Sequence, residues 1–267
     1  MRIFVLASGS DGNATVFESK GTRVLVDGGI GPGALVQRLV DLGAGGMPHA
    51  ILVTHAHQDH VGQTARIAKK LRVPVYALEG TARVRVIGAR DPFEIGALTI
   101  APIPVPHDAD QVAFRISDGD ASAAIATDLG EVTQDLVDHV ARCDAVLVES
   151  NHDRQMLRVG PYPGFLKRRV ESGVGHLSND QTHGLLRRLV AARAVALLHL
   201  SRTNNTPELA LDVARDALAG RRVDLFAARP RAPFVIDTDA PRPEHLPLRT
   251  GPRRVRVRPE QLRLFSL

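Results

Sequence analysis

Four residues able to bind a metal stand within one six-residue stretch: His55, His57, Asp59 and His60, in the segment T-H-A-H-Q-D-H at 54–60. The segment follows Ala50–Thr54, a short run that reads as a buried strand. Alternation puts His55 and His57 on one side of the exiting chain, while Asp59 and His60 turn with the start of the next helix. Imidazole nitrogen together with carboxylate oxygen suits zinc, manganese or iron better than calcium, which takes oxygen ligands. A divalent ion held there would lower the pKa of a bound water and stabilise charge building on a phosphoryl or acyl oxygen. No G-x-S-x-G is present, and this chemistry requires no Ser-His-Asp or Cys-His nucleophile.

H-x-H-x-D-H after a strand resembles the main motif of the metallo-β-lactamase superfamily. That family adds a His, a bridging Asp and a final His, each at a strand end. The matching positions, in order, are His107 after A-P-I-P-V-P, Asp128 ending A-A-I-A-T-D, and His199 ending V-A-L-L-H. The resemblance implies two divalent metal ions per chain, Zn²⁺ or Mn²⁺. His55, His57 and His107 would hold one, Asp59, His60 and His199 the other, and Asp128 would bridge.

The superfamily hosts thioesterases, lactonases, phosphodiesterases and nucleases, so the metals alone name no substrate. Four flanking segments narrow it: S-G-S-D-G-N at 8–13, E-S-N-H-D at 149–153, G-H-L-S-N at 175–179 and H-L-S-R-T-N-N at 199–205. Together, over roughly residues 1–238, they resemble the YycJ/WalJ group of bacterial metallo-hydrolases. The resemblance implies a metal-dependent phosphodiesterase that is a DNA exonuclease, 5′→3′ on duplex DNA, in DNA repair and replication. Two alternatives stay open: an RNA-processing nuclease or small-molecule phosphodiesterase of the same fold, and a non-catalytic metal- and clamp-binding protein. The intact ligand set argues against the latter.

On the residues alone these segments carry several readings. S-G-S-D-G-N is either a loop whose backbone N–H groups, with Ser10 and Asn13, cradle a phosphate, or a plain turn between strands. His176 is a proton donor to the leaving oxygen, a phosphate contact or an ordinary loop histidine. His152 is a similar, weaker candidate, and Asp59 completes the catalytic set. Ser178 or Asn179 caps the following helix. Arg202, with Arg168 and Arg169, is placed along a groove for backbone phosphates, against the default of solvated arginines. His139 and His183, in helical segments among polar residues, read as surface groups.

The elements that must position these residues alternate along the chain. Strands are expected at Ile3–Ala7, Ala14–Glu18, Arg23–Asp27, Ala50–Thr54, Pro74–Ala77, Leu98–Ile103, Val112–Ile116, Ser122–Thr127, Ala145–Glu149 and Ala194–His199, with Asp224–Ala228 last. Helices are expected at Ala34–Leu42, from the His-rich turn through Leu71, near Glu131–Arg142, at Asp180–Ala192, and from Pro207 to Leu218 with Thr206 as cap. Two similar halves of strands and helices predict an α/β, four-layer αββα sandwich over residues 1–238.

Composition is that of a globular protein, 44% hydrophobic and 24% charged, and the scarcity of aromatics predicts an aliphatic core. A single cysteine, Cys143, excludes an intramolecular disulfide. The five apolar residues after Met1-Arg2 are too few for a signal-peptide core, and no later run approaches the roughly 18 of a membrane span. A cytoplasmic protein without membrane contact is expected. Net charge is +5, but seven Arg against three acidic residues fall in 239–267, so most of that excess sits in the tail. Residues 239–260, with five Pro and six Arg, read as a disordered linker. The apolar island Q-L-R-L-F then resembles the peptide by which bacterial replication proteins dock on the β sliding clamp, with Gln261 for polar contacts and Leu262, Leu264 and Phe265 as anchors. The other reading is an amphipathic end that packs back on its own domain.

Overall fold

The computed structural model describes residues 1–78 and 84–239. The chain opens with strands β1 (Arg2–Ala7), β2 (Ala14–Ser19) and β3 (Thr22–Val26), helix α1 (Pro32–Asp41) and β4 (Ala50–Leu52). Helices α2 (Gln58–Val61) and α3 (Thr64–Leu71) lead to β5 (Val75–Ala77), β6 (Val84–Val86), β7 (Phe93–Ile95), β8 (Leu98–Pro104), β9 (Val112–Ser117) and β10 (Ser122–Ala126). Then come α4 (Gln134–Val140), β11 (Ala145–Glu149), α5 (Arg154–Val159), α6 (Gly164–Val170), α7 (Asn179–Leu186), β12 (Ala194–Leu198), α8 (Pro207–Ala217), β13 (Asp224–Ala227) and β14 (Phe234–Asp237).

The strands form two seven-stranded sheets, β14-β1-β2-β3-β4-β5-β6 and β13-β12-β11-β10-β9-β8-β7. Their inner faces supply one apolar core: Ile3, Val5 and Phe17 from the first sheet meet Ile100, Phe114, Ile125 and Leu147 from the second. Alternation sends the neighbouring side chains outward. Phe4, Leu6 and Leu25 pack with Leu35 and Leu39 of α1, while Val146 and Val148 pack with Leu136 of α4 and Leu185 of α7. Strands buried on both faces explain the near-continuous apolar runs in the sequence. This is the four-layer αββα sandwich.

Five elements escape the sequence reading, and each is short. β6 and β7 have three residues apiece, and α5 and α6 are six- and seven-residue helices rich in Arg. The last strand is β14 rather than β13. It follows a Pro/Arg segment and pairs antiparallel with β1, Arg2 opposite Asp237, and the Met1 ammonium donates to Thr238 Oγ1 at 3.0 Å. The expected single helix after the His-rich turn is split at Gly62. His139 is half-buried rather than a surface group, its Nε2–H donating to the Ala101 carbonyl at 3.0 Å. Ser178 caps α7 in a reciprocal box with Gln181, and Thr206 caps α8. No helix among the described residues is long and apolar enough to cross a membrane. Apart from Asp239, the linker 239–260 and the peptide 261–267 lie outside the described residues.

Candidate metal centre

The sheets deliver their polar residues to one edge of the sandwich. His55 follows β4, Asp128 follows β10 and His199 follows β12, all past the carboxyl ends of parallel strands, and His107 follows β8. Asp27, Asp128 and His199 leave their strands at φ 63°, 59° and 51°. This left-handed region is sparsely used by residues other than glycine, though Asp and His are enriched among the exceptions, and such strain is held where surrounding contacts over-determine it. At His199 the contacts are visible: its N–H donates to Ser8 Oγ at 2.8 Å and its carbonyl accepts from Asn151 Nδ2 at 2.8 Å.

Three groups of side chains offer ligand atoms within 4.8 Å of one another: His55, His57 and His107; Asp59, His60, Asp128 and His199; and Asp128, Glu149, His176 and His199. The seven expected ligand positions fall into the first two groups; Asp128 and His199 recur in the third, and Asp128 is not in the first. His107 Nε2 lies 3.3 Å from His57 Nδ1, and the His55 and His60 ring centres are 4.2 Å apart. Burial, then the neighbouring His60, lowers the His55 pKa to about 2, and burial also lowers His107. Both imidazoles are neutral at pH 7 and present lone pairs. His55 Nε2 is buried without a hydrogen-bond partner, while Asp128 Oδ2 lies 3.1 Å from His60 Nε2 and His199 Nε2 lies 3.4 Å from Asp59 Oδ2. An orphaned acceptor is costly in a dry interior unless something cationic satisfies it. The donor set fits divalent metal.

The second group is more strongly charged. Burial opposes ionisation of His60 and His199, yet the carboxylates outweigh it. His60 is raised well above its usual value by Asp27 and Asp128, and His199 reaches about 10 beside Asp128, Asp59 and Glu149. The same contacts hold Asp59 and Asp128 below the ordinary carboxylate range despite their burial. Without metal the cluster keeps protons to balance its carboxylates. A divalent cation supplies that balance and displaces them, so binding releases protons.

Two residues that sequence reasoning did not single out orient the ligands. Asp27 accepts from His60 Nδ1–H at 2.7 Å, from Thr54 N–H at 2.9 Å and from Thr54 Oγ1–H at about 3.0 Å. The bond to Nδ1 leaves Nε2 of His60, 3.1 Å from Asp128 Oδ2, as the nitrogen that would ligate once metal displaces its proton. Glu149, fully buried, accepts from Leu129 N–H and Leu177 N–H on Oε2, and from His176 Nδ1–H at 2.8 Å and His199 Nδ1–H at 3.1 Å on Oε1. Four donors compensate a carboxylate that burial alone would neutralise, and its pKa is lowered. The third ligand group is thus read as Glu149 aiming two imidazoles. The available signal was positional: like Asp128, both Asp27 and Glu149 are acids ending apolar strands.

The flanking motifs hold this edge in place. Ser150 Oγ–H donates to Asn179 Oδ1, Asn179 Nδ2 to Asn205 Oδ1, and Asn205 Nδ2 back to the Ser150 carbonyl. The 8–13 segment is a turn, with Gly12 N–H donating to the Gly9 carbonyl. Its Asn13 is buried rather than open to a phosphate, and its amide reaches Asp59 Oδ2 at 3.2 Å and His60 Nε2 at 2.9 Å. Gly29 packs so closely that an added Cβ would lie 1.9 Å from the Asp59 carbonyl, which fixes the 55–60 loop from below. Ser10 is exposed on the same turn, and Arg202 is exposed and paired with Asp11.

His176 lies beside the cluster, its ring centre 5.3 Å from His199 and 5.7 Å from His107. Burial opposes its charge, but Glu149 prevails and raises its pKa. His152 joins none of the groups. It is buried behind them, lowered by burial to about 4, and so stays neutral.

Residues 22–199 match the family model described as Beta-lactamase superfamily domain. The chain is 34% identical over 227 residues to "Exodeoxyribonuclease WalJ" of Streptococcus pneumoniae, covering 77% of this chain and 84% of that one. It is 33% identical over 224 residues to "Exodeoxyribonuclease YycJ" of Bacillus anthracis, with the same coverage. Among solved structures, the metallo-beta-lactamase fold protein YhfI from Bacillus subtilis superposes with a TM-score of 0.68 at 17% identity, over 88% of this chain and 99% of that one. With its two facing sheets, its strand-end histidines and carboxylates and these relatives, the chain belongs to the beta-lactamase superfamily in its metallo-β-lactamase fold and is a metal-dependent hydrolase.

Proposed function

We propose that this hydrolase is a binuclear phosphodiesterase acting as a DNA exonuclease, 5′→3′ on duplex DNA, in DNA repair and replication. The observation that carries the reading is the gathering of His55, His57 and His107 in one cluster and of Asp59, His60, Asp128 and His199 in another beside it, with Glu149 and His176 adjoining the second. Two relatives that cover most of the chain and are named exodeoxyribonucleases support DNA as the substrate. When bound, two Zn²⁺ or Mn²⁺ ions supply a hydroxide nucleophile at neutral pH and stabilise charge on the phosphoryl oxygens.

The chain's own groups do the rest. Asp27 and Glu149 fix the tautomers of His60 and His199, so that each presents Nε2 to the centre. His176 commits Nδ1–H to Glu149, whose carboxylate raises its pKa and so favours a second proton on Nε2. That proton passes to the leaving oxygen of the broken phosphodiester. His152, buried and neutral, supports the loop that carries His176 through its bridge to Ser178. Ser10 and Arg202, both exposed, are read as contacts for backbone phosphates.

The tail peptide Gln261–Leu267, through Gln261, Leu262, Leu264 and Phe265, docks on the β sliding clamp. A coil of about 22 residues reaches roughly 25 Å, enough to keep the domain near DNA threading the clamp at an effective concentration of order mM. The deciding experiment is hydrolysis of end-labelled duplex DNA, single-stranded DNA and RNA by purified protein with Mn²⁺ or Zn²⁺. Stepwise loss of nucleotides from DNA 5′ ends is expected. Activity on RNA or cyclic phosphates alone would overturn the assignment.

A further inference from the structure

We infer that the outer face of α6 is the platform on which the DNA strand entering the metal centre rests, with Phe165 stacking against a base and Arg168 contacting a phosphate. The inference rests on the nuclease reading and names the part of the substrate that the protein grips beside the scissile bond.

The geometry of α6 carries it. Val170 is buried and Leu166 half-buried, so the helix presents Phe165, Arg168 and Arg169, spaced i, i+3 and i+4, along its exposed face. Phe165 is 68% exposed, the one aromatic among the exposed large apolar side chains of the described residues. Where that face points is settled by Arg169. Its Nε–H donates to Asp108 Oδ2 at 2.9 Å, and Asp108 Oδ1 lies 3.4 Å from His57 Nε2 and 3.2 Å from His107 Nε2. The face therefore borders the first histidine trio. Its C-terminal end is tied to the same centre: the Val170 carbonyl accepts from His176 N–H at 2.9 Å, and His107 Nδ1–H donates to the Gly175 carbonyl at 3.3 Å. From Phe165 to Val170 the helix advances about 7.5 Å, on the order of two nucleotide steps along one strand.

Charge selects the partner. Arg168 and Arg158 form no ion pair among the described residues, and Lys167 Nζ donates to the Arg158 carbonyl at 2.7 Å, binding the end of α5 to α6. One phenyl ring among cations is not the apolar patch of several hundred Å² that a protein interface presents. It is what single-stranded nucleic acid uses: a ring for any base, beside cations for the backbone.

The test uses the full chain loaded with Mn²⁺ and a fluorescently labelled oligonucleotide with phosphorothioate linkages, read by anisotropy. Phe165→Ala is expected to weaken binding roughly 5- to 100-fold, the range for losing one base–aromatic stack, and Phe165→Tyr to restore it to within about threefold. An oligonucleotide with abasic sites at the platform should bind wild type and Phe165→Ala equally. Arg168→Ala should flatten the slope of log affinity against log salt by about 0.7–0.9, one phosphate contact. Phe165→Ala binding within twofold of wild type, or an equal loss on the abasic strand, overturns the platform while leaving the nuclease intact if DNA is still cut. A wild-type enzyme that hydrolyses bis(p-nitrophenyl) phosphate but neither binds nor cuts DNA overturns the nuclease reading and the platform together.

Discussion

Asp27 makes no contact with the substrate in the mechanism above, yet Asp27→Asn should empty half of the centre. The substitution keeps the shape, and Asn tolerates the backbone at φ 63° as well as Asp does. Its remaining oxygen still accepts from Thr54 N–H, now 2.9 Å away. The amide nitrogen replaces the oxygen that receives His60 Nδ1–H at 2.7 Å, so two donors would face each other in a buried site. His60 escapes by moving its proton to Nε2, the atom 3.1 Å from Asp128 that is needed as a ligand. Losing such an orienting carboxylate lowers metal affinity by about 10- to 100-fold, equivalent to about 1.4–2.8 kcal/mol. Folding stability should fall by a further ~1.5–3 kcal/mol for the lost charge-assisted hydrogen bond. Metal content measured by plasma mass spectrometry after titration against a chelator should drop from two ions per chain to one, with the His55–His57–His107 site still filled. An Asp27→Asn protein that holds both ions within threefold of wild-type affinity would refute the tautomer argument.

Asp128→Ala removes the carboxylate proposed to bridge two metals, so hydrolysis should vanish and bound metal fall below two per chain; near-normal activity with two ions would show the ligand assignment to be wrong. His176→Ala should lower kcat by about 10²–10⁴-fold, the usual range for a general acid, with metal content unchanged, and an effect below about threefold would return His176 to the ordinary loop histidines. Because Glu149 raises the His176 pKa, the protonated acid persists to higher pH than in a free imidazole and is lost as pH rises through that raised value. Glu149→Gln should therefore shift the alkaline limb of the kcat profile to lower pH, and an unmoved limb assigns that proton elsewhere. Deleting 261–267, or changing Leu264 and Phe265 to Ala, should abolish binding to purified sliding clamp; a tail peptide silent at about 100 μM, where weak docking motifs register, would sink the tether.

The main features of this protein were legible without coordinates because they are local. H-x-H-x-D-H concentrates four candidate ligands of two types in one loop, and no folding is needed to see that imidazole and carboxylate at that spacing suit a metal. The doubly buried strands announced themselves as apolar runs ending in His107, Asp128 and His199. The αββα sandwich followed from the alternation of those runs with helices. Tertiary structure decided what depends on partners distant in sequence. Asp27 and His60 are 33 residues apart, Glu149 and His199 are 50 apart, and nothing local marks either acid as the one that sets a tautomer. Asn13 looked like a phosphate contact because its turn is rich in Gly and Ser, and it is buried because that turn must pack under Asp59. β14 closes the first sheet only by meeting β1, and α6 has no periodicity long enough to declare itself. Ligand chemistry is written in residue types, whereas tautomer, burial and the direction of an exposed ring are set by which segments the fold makes neighbours.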